Sequence, residues 1–198
     1  MALSGPTVLA TVARLQVQRS RLKPGEPGAR RYDPTPLLEV AALDVGPRGV
    51  VGHGPDGPVA DVHHADFPDG RNTRLLNGLS LLPRSHYDRM RERFGAHVVD
   101  GVAGESLLLD TDGPWTLDAL GGELLLETVD GDLLSLSGAA VAKPCVEFTR
   151  FCLDDLSLPA GDAAVRQAMV DLDDGTRGFY VQPGGVGRVG AGARLWCA

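Results

Sequence analysis

No apolar run in this chain goes far before a turn signal breaks it. The 26 glycines and 14 prolines are spread between short Val/Leu segments rather than gathered in one tract. Glycine opens positive φ and proline fixes φ, so both end strands and start turns. This spacing predicts a β-rich globular fold with many tight turns, and it argues against disorder. Hydrophobic residues make up 43% of the 198 positions and aromatics 5%. The core is therefore expected to be large enough for one domain over 1–198 and to be aliphatic. No internal repeat and no domain boundary is visible.

The local pattern places the elements. Ala13, Leu15 and Val17 alternate with Arg14, Gln16 and Gln18, as in a half-buried strand. Residues 19–36 are a basic loop rich in proline and glycine. Residues 37–51 read as two short strands with a turn. Residues 52–78 are polar and turn-rich with no period of their own, and a stretch of that length is usually functional or disordered. Tyr87, Met90 and Phe94 share one helical face, with Ser85 and Asp88 as an N-terminal cap and Gly95 as the stop. Strands are expected at 106–110, 123–129 and 133–137, the last two joined at Asp130-Gly131. Val165, Met169 and Leu172 mark a second helix capped by Asp162, and closing strands follow at 179–182 and 194–197. The PGGVGRVGAG run between them reads as a tight hairpin, since it does not join a strand to a helix as a phosphate loop does. The expectation is a β-barrel with one or two helical excursions.

The formal net charge is -7, but it is uneven. Residues 1–50 carry a balance of +3 and residues 51–198 one of -10. The basic excess includes Arg19, Arg21, Lys23, Arg30 and Arg31. It lacks the aromatic interleaving of a nucleic-acid arm, so a solvated loop and no nucleic-acid partner are expected. The N-terminus lacks a secretory leader and no apolar run nears the ~18 residues of a membrane span. A soluble, cytoplasmic protein with reduced thiols is expected.

The chemistry-bearing residues are few. Cys145, Cys152 and Cys197 are too far apart for a structural zinc site and too few for a disulfide framework. His63-His64 with Asp66 has metal-ligand residue types, but neighbouring residues on a strand point to opposite faces. His63 is retained as a weak metal candidate. Cys145 lies in VAKPCVEFTR. Lys143 and Arg150 favour its thiolate, whereas a free cysteine among apolar residues is also a common core filler. Local residues leave both readings open.

Three ordered segments add a resemblance. VAGESLLLD (102–110) resembles the Gly-Glu-Asn segment of MOSC domains, the molybdenum cofactor sulfurase C-terminal family. AKPCVEF (142–148) resembles that family's cofactor-facing Pro-Cys motif, and RGFY (177–180) its C-terminal pattern. Order and spacing agree from about residue 37 to the end. The resemblance implies a mostly antiparallel β-barrel. It implies that Cys145 ligates molybdenum of the molybdenum cofactor (molybdopterin) or holds a persulfide. It also implies a cofactor site, for which Gly104, Glu105, Lys143, Arg150, Arg177 and Arg74 have suitable types. The partners implied are a small-molecule substrate, such as an N-hydroxylated base or amidoxime, or a sulfur donor, together with a separate electron-transfer protein. No pyridoxal phosphate is expected on this chain, because the aminotransferase-like domain of the larger relatives is absent. Two departures stand out. Ser106 replaces the usual Asn, and HHADFPDGRN (63–72) replaces an upstream His-Gly-Gly. The sequence leaves the oligomeric state open.

Overall fold

The computed structural model describes residues 6–68 and 76–197. In chain order the strands are β1 (Thr7–Gln18), β2 (Leu37–Val40), β3 (Ala42–Gly46), β4 (Gly49–Gly54), β5 (Gly57–Ala60) and β6 (Leu79–Pro83). Helix α1 (Arg84–Phe94) follows, then β7 (Leu107–Asp110), a 3-10 turn (Leu117–Leu120), β8 (Leu124–Glu127) and β9 (Leu133–Val141). Helices α2 (Val146–Cys152) and α3 (Ala163–Leu172) precede β10 (Phe179–Pro183), β11 (Gly187–Gly190) and β12 (Arg194–Cys197).

Seven strands close a barrel in the order β12-β8-β9-β10-β6-β7-β1, with β1 pairing back to β12. All ladders are antiparallel except β6 with β7. A second sheet, β11-β3-β4-β5, packs on the barrel. Leu43, Val45, Val50 and Val189 from that sheet join the barrel's aliphatic interior. The approach is close: a Cβ on Gly52 would stand 2.9 Å from methyls of Val17 and Val40. No described helix is long and apolar enough to cross a membrane.

A second cluster covers the outside of β6 and β7. Leu81, Leu107 and Leu109 face the barrel interior, whereas Leu82 and Leu108 pack outward against Tyr87, Met90, Phe148 and Cys152. Burial on both faces explains why these strands read as continuous leucine runs. Each such side chain contributes about 1.5–3 kcal/mol by leaving water.

The structure departs from the sequence expectations at identifiable places. β1 carries a register shift between Val12 and Arg14. This bulge turns Ala13 toward the helical cluster, away from Leu15 and Val17. Gln16, expected on the polar face, is 1% exposed and donates from Nε2 to the Gly101 carbonyl at 2.7 Å. The N-cap of α1 is Pro83 without a side-chain bond, and Ser85 Oγ instead meets Thr111 Oγ1 at 3.3 Å. Asp162 does cap α3, accepting from the Ala164 N–H at 2.7 Å. The glycine-rich run is no hairpin: β11 leaves for β3 in the second sheet, while β12 closes the barrel. β5 lies inside the stretch read as turns, and α2 makes a third helix.

Candidate functional site

A cleft of about 460 Å³ opens where three irregular segments meet at the side of the barrel. One is the loop 19–36, one the turn 101–106, and one the link from β9 to α2. Each is positioned by named contacts.

The loop is anchored by its two apolar side chains. Leu22 and Tyr32 are 5% and 4% exposed. The Tyr32 hydroxyl donates to the Val102 carbonyl at 2.6 Å, and its ring packs on Phe148 and Phe151 with centroids 5.0 and 5.3 Å away. Burial pushes the Tyr32 phenol far above its ordinary value. The loop's basic side chains Arg19, Arg21, Lys23 and Arg31 are exposed, as expected of a solvated loop, while its two anchors tie it down. Arg21, Lys23 and Arg30 line the cleft, and the loop straps the turn 101–106 to α2.

In the turn, Gly104 has φ +82, and a Cβ there would sit 2.7 Å from Leu22 Cδ1. Its carbonyl accepts from Gln18 Nε2 at 2.7 Å. Glu105 is 4% exposed. Its Oε2 accepts from the Tyr87 hydroxyl at 2.8 Å, whereas Oε1 is buried without a hydrogen-bond partner. Burial pushes the carboxyl up to about 7, and the Tyr87 bond only partly offsets it. The same Tyr87 oxygen accepts from the Ala103 N–H at 2.9 Å. Ser106, where the MOSC segment that this stretch resembles has Asn, joins β6: its N–H donates to Ser80 Oγ at 2.9 Å.

The third segment carries Cys145. The Ala142 N–H donates to the Gly178 carbonyl at 2.9 Å, Lys143-Pro144 extends the chain, and Cys145 takes the N-cap position of α2. The first helical bond runs from the Thr149 N–H to the Cys145 carbonyl at 2.9 Å. Phe148 and Cys152 hold the other side of this helix in the core. The Cys145 side chain is thus half-buried and lines the cleft. Burial pushes the Cys152 thiol up to about 12.

Arg177 bridges the walls. Its Nη1 donates to the Lys143 carbonyl at 3.3 Å and its Nη2 to the Ala103 carbonyl at 3.4 Å. The guanidinium lies 5.2 Å from the Phe148 ring centroid, a cation–π contact. Lys143 lines the cleft but pairs with Asp173 at 2.9 Å. His63 also lines it, held by buried Asp61 at 2.9 Å from Nδ1. Asp61 in turn accepts from the Gln18 N–H at 2.7 Å.

Cys145, Gly104, Glu105, Lys143, Arg177 and His63 thus converge on one cleft. Arg150 does not line it, and its Nε is buried without a hydrogen-bond partner. Arg74 lies outside the described residues. His63 joins no group of three metal-ligating side chains among the described residues. The sequence reading missed Gln18, Arg21, Lys23, Arg30, Tyr32 and Tyr180. Leu22 and Tyr32, two large apolar residues inside a charged loop, were the available signal that the loop is tied down.

Fold comparison returns solved structures along nearly the whole chain. The YUAD protein from Bacillus subtilis superposes with a TM-score of 0.60 at 13% identity, covering 98% of this chain and 97% of its own. YiiM from Geobacillus stearothermophilus gives 0.54 at 18% identity, covering 96% and 75%. At such identities the likeness is one of fold. No family model and no curated protein matches the sequence.

Proposed function

We propose that this chain is a MOSC-type barrel whose working group is Cys145, as thiolate ligand of molybdenum cofactor or as a persulfide carrier. The observation that supports it is the place of the thiol. Cys145 is half-buried at the wall of a cleft, beside the Gly104-Glu105 turn and the Arg177 bridge. Cys152, by contrast, is fully buried and does not line the cleft, and burial pushes its thiol up to about 12. The fold shared with YiiM supports the barrel part of this reading.

The residues fit such a cofactor by their chemistry. A soft thiolate suits molybdenum or sulfane sulfur. Arg177 and Lys143 bring cationic donors for oxo or phosphate oxygens. Bound molybdenum cofactor would supply two-electron redox chemistry at the metal. The chain's own part is to hold the ligand against the thiol and to manage a proton. Glu105 is suited to that second task, since its carboxyl titrates at about 7 and one oxygen is unpartnered. A separate protein would deliver electrons to reduce an N-hydroxylated substrate, or sulfur for transfer. A reducing cytoplasm suits cysteines that form no disulfide among the described residues.

Metal analysis of protein from a cofactor-competent host tests the reading. Wild type should carry molybdenum and Cys145→Ala much less. Equally low content in both removes the ligation claim, and persulfide mass spectrometry on Cys145 then decides whether the carrier reading stands.

A further inference from the structure

Two neighbouring residues of α1, His86 and Tyr87, each hold one wall of the cleft, and a closed circuit of contacts joins them through Arg177. The Tyr87 oxygen accepts from the Ala103 N–H at 2.9 Å. The Ala103 carbonyl accepts from Arg177 Nη2 at 3.4 Å. Arg177 belongs to the turn 175–178, and the Gly175 carbonyl lies 3.0 Å from His86 Nδ1. The circuit thus starts and ends on one turn of α1. His86 is 1% exposed and does not line the cleft, so whatever it does there it does through the turn.

Hydrogen bonds on both sides fix the state of the imidazole. The Trp115 N–H donates to His86 Nε2 at 2.8 Å, and a backbone N–H can only donate. Nε2 is therefore the acceptor and Nδ1 carries the proton, which it donates to the Gly175 carbonyl, with the Thr176 carbonyl at 3.3 Å. The turn held in this way is stiff. The Gly178 N–H donates back to the Gly175 carbonyl at 2.7 Å, and the Ala142 N–H donates to the Gly178 carbonyl at 2.9 Å. A Cβ on Gly175 would stand 2.5 Å from Phe179 Cζ, and one on Gly178 2.6 Å from the Leu81 carbonyl oxygen. Little slack is left, so a shift at Gly175 carries Arg177 with it. The guanidinium reaches the Ala103 carbonyl at 3.4 Å and the Lys143 carbonyl, two residues before Cys145, at 3.3 Å. Both bonds are long, and a small displacement of the turn would break them.

We propose that His86 is a positioning residue for the cleft: through the turn 175–178 it sets the Arg177 guanidinium between the Ala103 and Lys143 carbonyls, where its charge raises the reactivity of the Cys145 sulfur. His86 itself touches neither the thiol nor a ligand. This rests on the reading of Cys145 as the working group only in taking its sulfur as the atom that Arg177 serves; what the sulfur carries does not enter. Histidine suits the place because one rigid ring offers a donor to the turn and an acceptor to the loop that carries Trp115.

The native chain, made without molybdenum and reduced, is alkylated with iodoacetamide, and the rate at Cys145 is read by peptide mass spectrometry. His86→Phe keeps the bulk of the ring and removes both nitrogens. Cys145 should then react about fivefold more slowly, the scale of displacing one unit charge from a half-buried thiolate. His86→Gln, which keeps an acceptor and a donor, should react close to wild type. Arg177→Ala should be slowed as His86→Phe is, and adding His86→Phe to it should change the rate no further. A merely structural histidine would lower the thermal midpoint without producing this coupling. His86→Met serves if His86→Phe does not fold at the assay temperature. Three results overturn the proposal: a wild-type rate in a folded variant that lacks both nitrogens, a wild-type rate in Arg177→Ala, or equal slowing by His86→Phe with and without Arg177. Molybdenum and persulfide content are not read, so failure here leaves the reading of Cys145 to its own test.

Discussion

Cys145 and Cys152 bracket the short helix α2, and their surroundings separate their chemistry. Cys145 is half-buried on the cleft, whereas Cys152 is 0% exposed with its thiol pushed up to about 12. Brief alkylation of native protein followed by peptide mass spectrometry should label Cys145 well before Cys152. Equal labelling in folded protein would contradict the assignment of Cys145 as the working thiol. Cys152→Ala should leave cofactor or sulfur loading intact while costing core packing. The turn beside Cys145 has its own residue-level test. At Gly104 the positive φ and the 2.7 Å approach to Leu22 Cδ1 leave no room for a side chain. Gly104→Ala should destabilise by about 1–3 kcal/mol in urea titrations. At this scale much of the site could be read in advance. Cys145, Gly104, Glu105 and Arg177 were legible from ordered motifs. Arg150 was not, because its place depends on the helical phase of α2, and no period or cap signal marked that seven-residue helix.

At the scale of elements, α1 illustrates what a pattern shows and hides. The face formed by Tyr87 and Met90 was legible from spacing. The role of His86 was not, since its partners lie far along the chain. His86 is 1% exposed; its Nε2 accepts from the Trp115 N–H at 2.8 Å, and Nδ1 lies 3.0 Å from the Gly175 carbonyl. It ties α1 to two loops as a neutral ring. Burial lowers its pKa below the ordinary 6.5, ahead of the backbone bonds that raise it. A histidine with a depressed folded value contributes stability above its unfolded pKa and loses it as pH falls through the folded one. Wild type should therefore weaken below pH about 6.5 in urea titrations. His86→Ala should cost about 2–3 kcal/mol at neutral pH, from orphaned backbone groups and a cavity, and should flatten that acid slope. Likewise the alternation of β1 was legible except at Ala13, where a bulge lets one strand serve β12, β7 and β2. A bulge answers to its partners, not to its own residues.

Across the whole molecule the pH response is a sum of opposing groups. Glu105 opposes His86. Its carboxyl rises from an ordinary 4.5 to about 7 because it is buried, so the folded state holds a proton that the unfolded chain releases. Stability from this group is present below pH about 4.5 and is lost as pH rises toward 7. Glu105→Gln should raise the thermal midpoint more at pH 8 than at pH 5; an equal shift at both would show that Glu105 is ionised throughout. The barrel itself was legible as a class from the rhythm of short strands and turns. Its connectivity was not, because the second sheet draws β11 away from its neighbours in sequence to pair with β3.

The barrel closes where Thr7 faces Cys197, so its first and last strands complete each other. During synthesis the β1 edge must wait until residues 194–197 emerge before β12 can cover it. Closing so long a loop makes for slow folding, and an uncovered edge strand invites pairing with another molecule. A chain in which β12 has not yet formed, or from which it has been clipped, should thus be the aggregating form, while closure covers this edge of β1 with β12.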